Sequence, residues 1–158
     1  MKKAFANELL KQALKNKRVV LLTGDVGFGV LDEFKEKLPN QYYNCGVAEQ
    51  NMVGVACGMA QGGLIPFVYS ITPFLIYRAF EFIRNDVDYD EANVKLVGVG
   101  RLGDYKDLGI SHCSYDDKKI MRLFKNIAAF WPKTKEEVRS LVKLAVTENG
   151  PFYINLER

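Results

Sequence analysis

The chain has 158 residues, of which 48% are hydrophobic and 26% charged, the balance expected of a globular protein with one core. Its formal net charge of +3 comes from 22 basic and 19 acidic side chains that are interspersed along the chain, which argues against nucleic acid as a partner. The sequence has no apolar run of the roughly 20 residues that a membrane span needs, no signal-peptide pattern and no CxxC pair among its three cysteines, so we expect a cytoplasmic protein with reduced thiols.

Strands and helices alternate along the first half of the sequence. Hydrophobic periodicity and turn residues predict, in chain order, a helix over 2–16, a strand over 18–24, a short helix over 30–38, a strand over 42–46, a helix over 48–63 and a strand over 64–70. Helix 48–63 is apolar on every side, which is typical of a helix enclosed in the core or at a subunit interface. Gly54 and Gly58 share one of its faces, which favours the close approach of another helix, and we interpret this face as packing against a partner subunit.

The alternation continues through the second half. Thr72 is expected to cap a helix that has Pro73 in its first turn and its core stripe within 74–87. The later elements are predicted as a strand over 94–100, a helix over 116–124, a strand over 126–132, a helix over 134–149 and a strand over 152–157. Thr134 and Glu137 have the spacing of a capping box at the start of the last helix.

Six short hydrophobic strands that alternate with helices predict an α/β fold, with a mainly parallel six-stranded sheet covered by helices on both faces. We expect residues 1–158 to form one domain. In such sheets ligands bind beyond the carboxyl ends of the strands, where segments 23–29, 45–50 and 99–112 are placed. The last of these segments belongs to a loop of about 15 residues without predicted structure, and loops of that length in compact domains are often functional.

Glu49 is the only charged residue between Lys37 and Arg78, and it stands at the start of the apolar helix. One interpretation is an ordinary first-turn acid that interacts with the helix dipole. The other is an acid in apolar surroundings with neutral neighbours, which can exchange a hydrogen bond or a proton with a ligand nitrogen. Burial favours the neutral acid and the helix N-terminus favours the carboxylate, so the sequence leaves the charge state open.

The segments CGVAEQNMVGVACGMAQGG, IPFVYSITPFLIYRAFEFIRNDV, NVKLVGVG, DLGISH and GPFYINLER together resemble the pyrimidine-binding domain of the transketolase family of thiamine diphosphate enzymes, over essentially the whole chain. In that family the glutamate of GVAEQN contacts N1′ of the cofactor's aminopyrimidine ring and assists loss of the proton at C2 of the thiazolium ring. The resemblance implies that Glu49 is this catalytic residue. The role requires a carboxyl group that is secluded from solvent and not neutralised by a guanidinium.

Three further residues are matched to cofactor contacts by the resemblance. Phe74 aligns with the aromatic residue that stacks on the aminopyrimidine, and Tyr77, one turn later, is expected to line the same pocket. Asp25 matches an aspartate near the thiazolium ring. The alternatives are core packing for Phe74 and Tyr77, and ordinary turn chemistry for Asp25.

The resemblance also assigns residues to the substrate. His112, the only histidine, matches a substrate-facing catalytic histidine, and Arg158 matches an arginine that binds a sugar phosphate. Arg101 is a candidate for meeting an anionic group. Leu108 and Gly29 stand where the family commonly has an acidic residue and a phosphate-contacting serine, which puts the usual sugar-phosphate substrate in question. No metal site is expected in this chain.

The family's diphosphate-binding and third domains have no counterpart in this sequence. We therefore expect one subunit of a split enzyme that transfers a two-carbon ketol unit and is inactive alone, while a separate subunit holds the diphosphate and Mg²⁺. A dimer of such heterodimers is the expectation from the family. The alternatives are a 2-oxo acid decarboxylase, a subunit resembling deoxyxylulose-phosphate synthase, and a scaffold domain without activity.

Overall fold

The computed structural model describes residues 1–101 and 104–157. The strands are β1 (Val19–Thr23), β2 (Tyr42–Asn44), β3 (Ile65–Ile71), β4 (Lys95–Val99), β5 (Ala128–Phe130) and β6 (Phe152–Leu156). The α-helices are α1 (Lys2–Ala13), α2 (Asp32–Lys37), α3 (Glu49–Gln61), α4 (Thr72–Arg78), α5 (Phe80–Phe82), α6 (Asp117–Met121) and α7 (Lys135–Thr147), and a π-helix spans Ile83–Tyr89. Three-residue 3₁₀ turns occupy Pro39–Gln41, Lys106–Leu108 and Ile110–His112.

The six strands form one parallel sheet in the order β2-β1-β3-β4-β6-β5, which confirms the predicted fold class. The chain moves from β1 outwards to β2 and then returns to β3 on the other side of β1. This reversal opens a crevice at the carboxyl ends of β1 and β3, where ligands bind in open α/β sheets. The loops that follow β1, β2 and β3 all meet at this crevice.

Helices cover the two faces of the sheet with separate hydrophobic clusters. On one face α1 and α7 pack together over β1, β3 and β6. On the other face α3, α4 and α6 bury residues such as Met52, Leu75 and Met121. The four inner strands β1, β3, β4 and β6 are buried on both sides because helices cover both faces, and this explains their mainly apolar sequences, whereas the edge strands β2 and β5 are partly exposed.

The predicted helix over 74–87 is a helix in three parts. Helix α4 ends at Arg78, α5 is one turn long, and the next residues form the π-helix, which closes with a hydrogen bond from the Asp90 N–H to the Asn85 carbonyl. The core stripe is nevertheless present, because Ile76, Ile83 and Val87 are fully buried. The wider π-turn lets the chain adjust to the neighbouring helix while these side chains keep their contacts.

Two capping predictions have different outcomes. Thr72 is not the cap of α4, because its hydroxyl is buried and donates instead to the Val99 carbonyl at 3.0 Å, linking the end of β3 to β4. Thr134 does cap α7, accepting from the Glu137 N–H at 3.1 Å. The capping box is half formed, since the Glu137 carboxylate accepts from the Lys133 N–H and not from the N–H of Thr134.

The glycine face of α3 is partly explained within the chain. A Cβ atom on Gly54 would lie 3.0 Å from the ring of Phe82, so at this position the close approach is to α5 within the chain. A Cβ atom on Gly58 would meet nothing within 4 Å. Helix α3 buries one side only, and Val55 on the other side is 39% exposed.

Across residues 1–101 and 104–157, the helices are too short or too polar to cross a bilayer.

Candidate functional site

Glu49 is the first residue of α3 and lies at the crevice between β1 and β3. Only 1% of the residue is exposed, so the predicted seclusion from solvent is present. Its Oε1 atom accepts a hydrogen bond from Ser70 Oγ, 3.1 Å away on buried strand β3. Oε1 therefore has its hydrogen-bond partner in the protein interior. Oε2 is the carboxyl oxygen that is left for another contact.

Gly24 makes the close approach to Glu49 possible. A Cβ atom at this position would lie 3.2 Å from Glu49 Oε1 and 3.1 Å from Ser70 Oγ. Both distances are tighter than almost all real Cβ contacts, so a side chain here would push against the carboxyl group. The turn after β1 consequently needs glycine because of the carboxylate that follows β2.

The expected neutral surroundings of Glu49 are not present, and that part of the prediction is wrong. Arg78 Nη1 lies 2.8 Å from Glu49 Oε2 and forms a salt bridge with it. The two residues are 29 positions apart in sequence, and α4 carries the arginine back over the N-terminus of α3. The side chain of Arg78 is 45% exposed, whereas that of Glu49 is fully buried.

Phe74 lies between the arginine and the histidine. The guanidinium carbon of Arg78 is 4.1 Å from the centre of the Phe74 ring, in cation–π geometry. His112 meets the same ring edge-on, with 4.8 Å between ring centres and an interplanar angle of 72°. Phe74 is half-buried and contacts both His112 and Arg78, and Arg78 in turn contacts the carboxylate of Glu49.

Tyr77 follows Phe74 on α4, but its hydroxyl points to a different partner. It donates a hydrogen bond to Asp116, just before α6. Burial raises the pKa of Tyr77 to about 12, and the hydrogen bond to Asp116 contributes in the same direction. The residue as a whole is 43% exposed, and its place in the cofactor pocket stays a prediction.

Asp25 is held in a left-handed backbone conformation with a φ of 56°, which non-glycine residues rarely adopt. Its carboxylate accepts from Asn44 Nδ2 at 2.8 Å, and its N–H donates to Asn44 Oδ1 at 3.1 Å. Asn44 Oδ1 also accepts from the Gly46 N–H at 3.0 Å. Asn44 therefore ties the turn after β1 to the turn that leads to Glu49.

Arg101, one of the two arginines assigned to substrate, has its ion pair outside this cluster. Arg101 is 7% exposed and pairs with Glu157, at the end of the sheet's neighbouring strand. Within the part of the chain that the structure describes, its Nε atom has no hydrogen-bond partner. Arg158 lies outside the described residues.

Sequence reasoning missed Ser70, Arg78 and Asn44. Ser70 is a small polar residue in a mostly apolar, buried strand, and such a residue needs a buried partner, so a signal existed. The partner of Glu49 could not be read from sequence spacing. Within 1–101 and 104–157 no group of three or more His, Cys, Asp or Glu side chains converges as a metal site would require.

Residues 1–158 match the protein family described as "Transketolase, pyrimidine binding domain". The chain belongs to the transketolase pyrimidine-binding domain family. This membership implies thiamine diphosphate as the cofactor.

Two relatives and one solved structure show what kinds of protein the chain is similar to. The chain is 35% identical over 158 residues to an apulose-4-phosphate transketolase subunit from Phocaeicola vulgatus, covering 99% of this chain and 51% of that protein. It is 32% identical to "1-deoxy-D-xylulose-5-phosphate synthase" from Clostridium botulinum, covering 99% of this chain and 25% of that protein. A structure described as "Split gene transketolase, inactive beta4 tetramer" superimposes with a TM-score of 0.87 at 34% identity, covering 98% of this chain and 50% of that one. The chain thus spans about half the length, or less, of the relatives that it matches.

The side chains in the crevice fit an aminopyrimidine ring. Such a ring needs an aromatic face to stack on and a carboxyl oxygen that faces the open side, because its nitrogen atoms lie in the ring plane. Phe74 supplies the face and Glu49 Oε2 the oxygen. The residues present therefore agree with the cofactor that the transketolase-type family implies.

Proposed function

We propose that this chain is the pyrimidine-binding subunit of a split transketolase-like enzyme. Together with a separate subunit that binds the diphosphate and Mg²⁺, it transfers a two-carbon ketol unit between sugar phosphates or related sugars. Thiamine diphosphate, when bound, supplies the carbanion chemistry, and the protein supplies placement and proton transfer. A cytoplasmic location and a single domain over 1–158 remain predictions from the sequence.

The arrangement of Glu49 is the observation that carries this proposal. Ser70 and Gly24 fix Oε1 from inside, so the carboxyl group presents Oε2 towards the solvent side of the crevice. In the proposed enzyme Oε2 exchanges a hydrogen bond with the ring nitrogen N1′ and moves a proton there. Phe74 then holds the ring plane by stacking.

The salt bridge with Arg78 means that the proposal requires the guanidinium to leave Glu49 when the cofactor binds. The arginine is nearly half exposed and approaches only Oε2, whereas Ser70 holds Oε1. The carboxylate of the pair is fully buried, so whatever displaces the guanidinium must itself donate to Oε2. A ligand that offers its own donor and plane can therefore take the place of the guanidinium.

Exposed apolar side chains on the loops at this edge of the sheet support a partner subunit. Phe28, Val47 and Ile110 are each at least 70% exposed, and they follow β1, β2 and β4 at the same edge of the sheet. Apolar groups clustered at one edge mark an interaction surface. In the proposed enzyme this surface meets the diphosphate-binding subunit, and two such pairs associate as a dimer of heterodimers.

The other site residues have supporting roles in the proposal. His112 faces the substrate beside Phe74 and is proposed as a catalytic residue, and Tyr77 lines the pocket rim. Asp25 adjoins a cavity of about 290 Å³ at the ends of β1, β3 and β4, where the thiazolium ring is proposed to lie. Arg101 and Arg158 are proposed substrate contacts, and Arg101 would have to exchange Glu157 for an anionic substrate group.

The sequence similarity to a deoxyxylulose-phosphate synthase supports a second candidate function. In that case the same crevice would serve condensation of a decarboxylated 2-oxo acid with an aldehyde, and Glu49 would have the same role. Leu108 and Gly29, which depart from the usual sugar-phosphate pattern, are compatible with this alternative.

Reconstitution tests the proposal. The chain is assayed alone and with diphosphate-binding subunits of split transketolases, using either a ketose phosphate or pyruvate as the donor. We expect weak cofactor binding and no turnover by the chain alone, and ketol transfer from the ketose phosphate by the complex. Turnover of pyruvate only would favour the second candidate. Full activity and tight cofactor binding by this chain alone would contradict the proposal of a split enzyme. If an assembled complex is inactive with both donors, the result would favour the alternative of a scaffold domain without activity.

A further inference from the structure

The guanidinium group of Arg78 contacts both a carboxylate and an aromatic ring. Its Nη1 atom is 2.8 Å from Glu49 Oε2, and its guanidinium carbon is 4.1 Å from the centre of the Phe74 ring. The guanidinium therefore lies over the ring and donates to the carboxylate at the same time. These are the same two interactions that the proposed function assigns to the aminopyrimidine.

The two oxygens of Glu49 differ in what covers them. Oε1 is enclosed by Ser70 on strand β3 and by the turn at Gly24. Oε2 is covered by Arg78, whose side chain is 45% exposed. A ligand that approaches from the open side therefore reaches Oε2 at the place that the guanidinium fills.

We propose that Arg78 is a placeholder, which fills the pyrimidine position in the unliganded chain and is displaced when thiamine diphosphate binds. This inference rests on the proposed function for the identity of the ligand. The placeholder keeps Oε2 satisfied and oriented while the site is open, since a buried carboxylate without a partner is unfavourable. It also lowers the affinity for the cofactor, because binding must first break the ion pair.

The position of Arg78 allows this displacement. It is the last residue of α4, and Ala79 separates it from α5, so the side chain starts at a break between two helices. Among the described contacts, its guanidinium is held by Glu49 and Phe74 and extends otherwise towards solvent. The guanidinium end of both contacts is open to solvent, and a ligand that offers a ring plane and a donor replaces both while the buried carboxylate stays paired.

Arg84 provides a matched control for a substitution at Arg78. It is an exposed arginine on the following π-helix, and its Nη1 atom donates to Asn85 within the same segment. Arg78→Met and Arg84→Met remove the same charge and the same hydrogen-bond donors, but only Arg78→Met uncovers Oε2. Arg78→Lys keeps the charge and loses the planar group that stacks on Phe74.

The experiment is calorimetric titration of thiamine diphosphate, with Mg²⁺ present, into the reconstituted complex carrying each variant, after circular dichroism has verified folding. We expect Arg78→Met to bind about three- to tenfold more tightly than the wild type, Arg78→Lys to lie between them, and Arg84→Met to match the wild type. Unchanged binding by both Arg78 variants would overturn the placeholder, and weaker binding would overturn it and show in addition that the arginine supports the bound cofactor. A wild-type complex that does not bind thiamine diphosphate would instead refute the proposed function, and the placeholder with it.

Discussion

Ser70 Oγ donates a hydrogen bond of 3.1 Å to Glu49 Oε1, joining the middle of the sheet to the start of α3. Both side chains are buried, so the contact fixes which carboxyl oxygen faces the open side of the crevice. The orientation of the carboxyl group is therefore set by a neutral hydroxyl from the interior, while its other oxygen, Oε2, is covered by the partly exposed Arg78 side chain.

Replacing this hydroxyl tests its positioning role. We expect Ser70→Ala to lower the turnover number of the reconstituted enzyme about two- to tenfold, because a buried hydrogen bond contributes about 0.5–1.5 kcal/mol. Steady-state kinetics with a ketose phosphate donor measure this change. Ser140→Ala, an exposed serine on α7, is the control and should leave the kinetics unchanged. Equal turnover of Ser70→Ala and wild type would mean that Glu49 does not need this contact.

Two glycines near α3 should respond in opposite directions to the same substitution. Gly24→Ala would place Cβ 3.2 Å from Glu49 Oε1, so we expect about 1 kcal/mol or more of destabilisation and a fall in cofactor affinity. Gly58→Ala adds a methyl group in open space within a helix, and we expect stabilisation of about 0.5–1 kcal/mol. Urea denaturation of both variants measures these changes. Destabilisation by Gly58→Ala would indicate that a partner helix approaches this face in the protein's own assembly.

The side chain of Lys95 makes the free energy of unfolding depend on pH in a direction that can be predicted. It is fully buried on β4 and donates to the carbonyls of Glu148 and Gly150 at 3.0 and 2.6 Å. Burial lowers the pKa of Lys95 to about 8 from its ordinary value of 10.5, and the charge of Glu148 opposes this effect. Between these two values the unfolded chain binds more protons than the folded one, so the free energy of unfolding contributed by Lys95 rises with pH.

We therefore expect the free energy of unfolding to increase by on the order of 1 kcal/mol from pH 7.5 to 9.5, and this increase to be lost in Lys95→Met. The quantity to compare is the slope with pH, because Lys95→Met also removes donors from two carbonyls and changes the absolute stability. Lys143→Met, on the exposed side of α7, should keep the slope of the wild type. An identical slope in the wild type and Lys95→Met would contradict the shifted titration of this lysine.

The sheet could be predicted because its strands are buried on both faces. Runs such as 19–23 and 95–99 contain mostly large apolar residues, and helices with a 3.6-residue period separate them. The positions of Glu49 and His112 at one end of the sheet also follow from the alternation, since the carboxyl ends of parallel strands lie at one edge. The resemblance to the transketolase family added roles to these residues and introduced Phe74, which the pattern had not placed there.

The details that failed depend on contacts between distant segments. Thr72 has the sequence of a helix cap, but β4 passes close enough to offer the Val99 carbonyl, and the buried hydroxyl takes that acceptor. The π-helix after Phe82 depends on packing against α3, which local propensity does not describe. Arg78 was the first basic residue after Glu49 in the sequence, yet its return to the carboxylate required the fold of α4 over α3.

The central claim is that Glu49 transfers a proton at the cofactor's ring, and it predicts how fast bound thiamine diphosphate exchanges hydrogen at C2. The exchange rate is measured by NMR after transfer of the reconstituted complex into D₂O, for the wild type, Glu49→Gln and Glu81→Gln. Glu81 is an exposed acid on α5 and undergoes the same chemical change away from the site. We expect the rate to fall at least about 100-fold in Glu49→Gln, with the complex still assembled, and to stay at the wild-type value in Glu81→Gln. A wild-type rate of exchange in Glu49→Gln would contradict the account.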